Sequence, residues 1–113
     1  MTQIDRNLVI QRLLELPEEI IEAEHSVIKA SLDVEEAKRE LAEKEADLYN
    51  GGKVEGRNEA QRKACLLSLT ATERATIAEC EENLLLCRKN YNHRLNGFSA
   101  LKTVAFILAG EVS

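Results

Sequence analysis

Two apolar tracks of seven-residue spacing, separated by a glycine-rich loop, limit what this chain can fold into. Stepping by seven from Leu13 gives Ile20, Val27, Val34, Leu41 and Leu48, all large and aliphatic. Three residues after Ile20, Val27, Val34 and Leu41 come Ala23, Ala30, Ala37 and Lys44. A second series starts at Ile77 and runs through Leu84, Tyr91, Phe98 and Ala105, with Cys80, Cys87, Arg94, Leu101 and Leu108 three residues after each. Each series draws one stripe along an α-helix, and such a stripe needs another helix against it. Between them lies NGGKVEG at 50–56, whose three glycines read as a loop. Two helices so joined make an antiparallel hairpin. The alanines and the compact Cys80 and Cys87 allow the two backbones to approach closely.

Composition points the same way. Aromatics are 4% of 113 residues, charged residues 31%, and there is one proline. This is the usage of long helices, and no alternating run suggests a strand. The expected fold is all-α, an elongated, coiled-coil-like antiparallel helical hairpin forming a single domain over residues 1–113. Pro17 suits a first helical position, and Glu18, Glu19 and Glu22 suit the positive end of a helix dipole. The reading is therefore a short N-terminal helix at about 4–15 and a long arm at about 17–49. The turn spans 50–57. A second arm over about 58–109 starts with a capping box of Asn58 and Gln61. A further box of Thr70 and Glu73 marks a kink near 68–72. With the turn centred near residue 54, residues whose numbers sum to 108–111 face each other, which places Val34 near Ile77, Val27 near Leu84 and Ile20 near Tyr91.

The stretch CEENLLLC, followed by His93, raises thiol chemistry. Cys80 and Cys87 stand two helical turns apart, about 10 Å along the axis, too far for a disulfide within one helix. Zinc pairs on helices use spacings of three or four residues. The cysteines read as seam residues behaving as small hydrophobes. No phosphate loop, metal-ligand cluster or nucleophile elbow is present, and His25 and His93 are solitary. The chain reads as non-enzymatic, with no catalytic, cofactor or metal residues. Its apolar tract TVAFILAG is too short to span a bilayer, and with three cysteines and no secretory pattern a cytoplasmic location is expected.

Charge is uneven. Residues 1–57 hold 14 acids and 8 bases, residues 58–113 hold 6 acids and 7 bases, and no acid lies between Asn83 and Gly110. Arg88, Lys89, Arg94 and Lys102 in that stretch are candidate nucleic-acid contacts. The competing reading pairs Arg88, Lys89 and Arg94 across the hairpin with Glu18, Glu19, Glu22 and Glu24. The seam positions of Tyr91 and Phe98 also count against base stacking.

Protein binding is the stronger expectation. Leu84, Leu85 and Leu86 cover about 200° of a helix, more than one partner helix can bury. Ile21, Ile28, Ala42, Tyr49, Ala78 and Phe106, each one past a seam position, draw a second stripe that needs a cover. An N-terminal helix could supply part of it through Ile4, Leu8, Val9 and Leu13. A homo-oligomer could supply the rest, with Leu85, Leu86, Phe98, Leu101 and Phe106 as candidate contacts.

The turn GKVEGRNEAQRKACLL and the end NGFSALKTVAFIL resemble small helical-hairpin accessory proteins of bacteriophages and prophages, over about half the chain. The pattern is carried by Asn58, Arg62, Lys63, Phe98, Ala100, Leu101 and Lys102. The resemblance implies an accessory protein acting inside a bacterial host, either by inhibiting a host defence or nucleic-acid-processing protein or as a nucleic-acid-binding factor of phage replication or recombination. It supplies no catalytic residues.

Overall fold

The computed structural model describes residues 5–112. Among these there are three α-helices and no strand: α1 (Arg6–Asn50), α2 (Glu59–Leu69) and α3 (Ala71–Val112). α1 and α3 form the antiparallel hairpin that the two apolar tracks predict. The chain divides into two compact units, Met1–Ile28 with Leu86–Ser113 and Lys29–Leu85.

The expected break before Pro17 does not occur. α1 begins where Asp5 accepts the Asn7 amide on its carboxylate at 2.9 Å and the Val9 amide on its carbonyl at 3.1 Å. It then runs through Pro17 without interruption. The reason lies in the burial pattern. Val9, Leu16, Ala23, Ala30 and Ala37 are all buried, so the alanine track extends two heptads further back, past the proline. Leu13, Ile20 and Val27 of the companion track are half-buried, and Val34 is buried. Pro17 is exposed. Its ring removes one amide donor, the one that would reach the Leu13 carbonyl, while seam packing on both sides holds the helix together. Ile4, assigned to a separate N-terminal helix, lies outside the described residues.

The loop follows its chemistry closely. α1 ends in a Schellman motif: Gly52 has φ +68°, its amide reaches the Tyr49 carbonyl at 3.2 Å, and the Lys53 amide reaches Leu48 at 2.9 Å. Gly56 has φ +152°, and a Cβ there would stand 2.6 Å from the Arg62 amide nitrogen. α2 opens as expected, with Asn58 Oδ1 accepting the Gln61 amide at 2.8 Å. The Gln61 side chain reaches back one residue further than expected, to the Arg57 amide at 2.8 Å.

The expected kink is a one-residue break at Thr70, between α2 and α3. Its hydroxyl does not cap Glu73. It turns back to donate to the Leu66 carbonyl at 2.7 Å and accepts from Arg74 Nε at 3.0 Å. The side chain is fully buried, so its hydroxyl needs those partners.

Register is shifted from expectation. Within Lys29–Leu85, Glu45 pairs with Arg74 and Lys38 with Glu81, residue numbers that add to 119, and Leu41 lines a groove with Ile77. The corner is broad: Tyr49 lines one groove with Glu59, Arg62, Lys63 and Leu66. Chain is therefore consumed at the turn before α3 comes alongside α1. Within the other unit, Glu19 pairs with Arg94, close to but two residues beyond the expected register.

Two stability outcomes follow. Pro17→Ala restores a helix-interior amide and raises stability, by up to about 3 kcal/mol; a helix that truly began at residue 17 would gain nothing. Gly56→Ala lowers the melting temperature more than Gly52→Ala, because the first adds a backbone collision to the positive-φ strain of about 1–2 kcal/mol that both share. Thermal unfolding followed by circular dichroism checks both.

Candidate interaction surface

Assigning heptad letters to the observed seam makes the two sides of the hairpin legible. In α1, Leu13, Ile20 and Val27 are a positions and Val9, Leu16 and Ala23 are d positions. In α3, Leu84, Tyr91, Phe98 and Ala105 are a positions and Cys87, Arg94, Leu101 and Leu108 are d positions. In an antiparallel pair, residues at e face e on one flank and residues at g face g on the other. The unit Met1–Ile28 with Leu86–Ser113 shows this arrangement. Ile10 and Ala109, both e, line one groove with Val9, Ala105 and Leu108. Arg12 and Gly97, both g, line another with Leu16, His93, Arg94 and Leu101.

In this unit the g flank carries the ion pairs. Arg94, half-buried at a seam position, holds Glu19 at 2.9 Å, and Glu19 also holds Arg12 at 2.7 Å. Arg12 reaches Glu15 at 3.1 Å as well. The hydrogen bond from Arg12, and then that from Gln11, lowers the Glu15 pKa from its ordinary value. The small stabilisation that results is present above the unfolded-chain pKa of the carboxyl and is lost as pH falls through the folded one. Leu86, Ile107 and Leu8 are also on this flank, all more than half exposed.

The e flank of the same unit is apolar and open. From Ile10, steps of four, seven and seven give Leu14, Ile21 and Ile28, which stay within about 40° on α1. They are 56%, 77%, 52% and 50% exposed. On α3 the same flank carries Ala109, Phe106, Lys102, Leu95 and Arg88. Phe106 is 80% exposed. The ammonium of Lys102 sits 5.0 Å from the centre of the Phe98 ring. No described side chain of α3 is buried: those facing α1 are only half-buried.

The candidate residues separate accordingly. Leu85, Leu86 and Phe106 are exposed, whereas Phe98 and Leu101 are half-buried on the α1 side of α3 and contribute to the hairpin itself. Arg94 is held by Glu19, so of the four basic candidates it is spent on the hairpin. Arg88 and Lys89 do not pair with Glu18, Glu22 or Glu24 as expected. Arg88, Lys89 and Lys102 are exposed with no carboxylate partner among the described residues. The reason is angular: Arg88 is an e and Lys89 an f position, both turned away from the g flank where Glu19 lies. The sequence reading missed Ile10 and Leu14. Their spacing to Ile21 and Ile28 was visible, but the assumed break at Pro17 hid it.

Cys80 and Cys87 occupy their expected seam positions, half-buried. Cys65 is half-buried with Sγ 3.8 Å from the Lys53 carbonyl oxygen. No group of three metal-ligating side chains comes together among the described residues, and no described helix is long and apolar enough to cross a membrane. Comparison with protein-family models, curated proteins and solved structures finds no match to this chain.

Glu19→Ala leaves Arg12 and Arg94 facing each other. Its expected cost is about 1 kcal/mol, and it shrinks in high salt. Urea unfolding at two ionic strengths measures it.

Proposed function

We propose that this chain is a non-enzymatic accessory protein that works by binding protein through the e flank of its helical hairpin. The observation that carries this reading is the run Ile10, Leu14, Ile21 and Ile28, each half or more exposed, beside Phe106. Scattered apolar residues on a surface are ordinary; a stripe of them along one flank marks an interaction site. The resemblance of residues 52–67 and 96–108 to small phage helical proteins supports a setting inside a bacterial cell, with inhibition of a host defence or nucleic-acid-processing protein as the form of action. A partner that normally holds nucleic acid would meet the acid-rich α1 favourably.

A second reading, nucleic-acid binding in phage replication or recombination, draws support from Arg88, Lys89 and Lys102, which lack carboxylate partners among the described residues. Against it stands the net charge of −5.

Capture from bacterial extract, with and without nuclease, separates the two readings. The protein-binding reading expects capture that survives nuclease and is lost in Leu14→Asp and Phe106→Asp. Capture that disappears with nuclease and with Arg88→Ala plus Lys89→Ala would favour the second reading.

A further inference from the structure

We propose that a second copy of this chain covers the e flank of the unit Met1–Ile28 with Leu86–Ser113, in a two-fold dimer that seats α1 of each copy on α3 of the other. The proposal rests on the protein-binding reading and names its partner.

Two observations point to a second copy. The first is cover. The flank exposes Ile10, Leu14, Ile21, Ile28 and Phe106, and α3 has no buried side chain among those described. A two-fold axis buries each of these residues twice, supplying an apolar interface centre from one patch. Phe106 alone brings an aromatic side chain of about 150–250 Å².

The second is charge. Beside the apolar stripe of α1 lie Glu18 and Glu24, and neither has an ion-pair partner among the described residues. Beside the stripe of α3 lie Arg88 and Lys102, likewise without a carboxylate, in a stretch that contains no acid from Asn83 to Gly110. One chain therefore carries both halves of a complementary surface that it does not join within itself. Seating α1 on α1 would set the acidic flank against itself. Seating α1 on α3 joins opposite charges twice, once on each side of the axis.

Register follows from the hairpin. Glu19 is level with Arg94 in one chain. A two-fold axis parallel to the helices keeps equal heights across the interface. Glu24 then comes level with Arg88 of the second copy, and Ile10 with the segment holding Lys102 and Phe106. The α1 and α3 helices of different copies run antiparallel, as they do within one chain.

Sedimentation equilibrium of the full chain tests this. The wild type should dimerise, and Leu14→Asp and Phe106→Asp should sediment as monomers. Both sites are exposed, so circular dichroism should show unchanged helix content. Glu24→Arg and Arg88→Glu should each weaken the dimer by up to about tenfold, because the axis doubles every pair. Combining the two should restore most of the loss. A chain that stays monomeric at about 100 μM overturns the dimer; in that case nuclease-resistant capture lost in Leu14→Asp would leave protein binding standing with a foreign occupant. A dimer indifferent to Arg88→Glu, or not rescued by the swap, overturns the seating of α1 on α3.

Discussion

Close approach along the alanine track of α1 is the constraint on which the rest of the structure depends. Ala23, Ala30 and Ala37 are among the most buried residues of the chain, and they are small enough to let α3 lie against the α1 backbone. Of the larger a residues Val34 is buried, whereas Leu13, Ile20, Val27, Leu41 and Leu48 are only half-buried. Hydrophobic stabilisation scales with area removed from water, at about 25 cal/mol per Å², so a core of alanines gains little and half-covered leucines gain only part of what they could. A hairpin of this kind has a thin interior and an incompletely covered surface for the same geometric reason.

The same constraint explains why α1 is continuous. Pro17 carries a strong local preference for a helix start, and Glu18, Glu19 and Glu22 reinforce it. Those preferences amount to a few kcal/mol at most. The seam from Val9 to Leu48 offers packing on both sides of the proline in one phase, and the helix keeps that phase. The fold class, the two tracks, the glycine loop and the Asn58 cap were legible in the sequence because each depends on spacing or on residues close in the chain. The uninterrupted α1, the register and the inward turn of the Thr70 hydroxyl were not. Each depends on how far the chain travels around the corner or on which side chain is available across the seam. The apolar flank was legible in part: Ile21, Ile28 and Phe106 were visible as residues one past the seam, whereas Ile10 and Leu14 entered only once α1 was whole.

Charge is distributed in a way that the hairpin alone does not resolve. Acids concentrate on α1 and are absent from α3 between Asn83 and Gly110, yet in this region one acid of α1, Glu19, meets a cation of α3, Arg94. That pair sits on the g flank. The cations on the opposite flank lie beside apolar side chains, an arrangement suited to a surface that is covered when the protein works. In the dimer proposed above, apolar area would supply affinity there and charge would select which helix meets which.

The continuity of the seam is most directly read from amide hydrogen exchange along α1. Protection should run from the first turns of the helix to Leu48 with a seven-residue modulation, and the amides from Leu14 to Ala23 should exchange as slowly as those from Ala30 to Ala37. Fast exchange confined to residues 13–20, with slow exchange on either side, would show two helices meeting at Pro17 and would contradict a single seam.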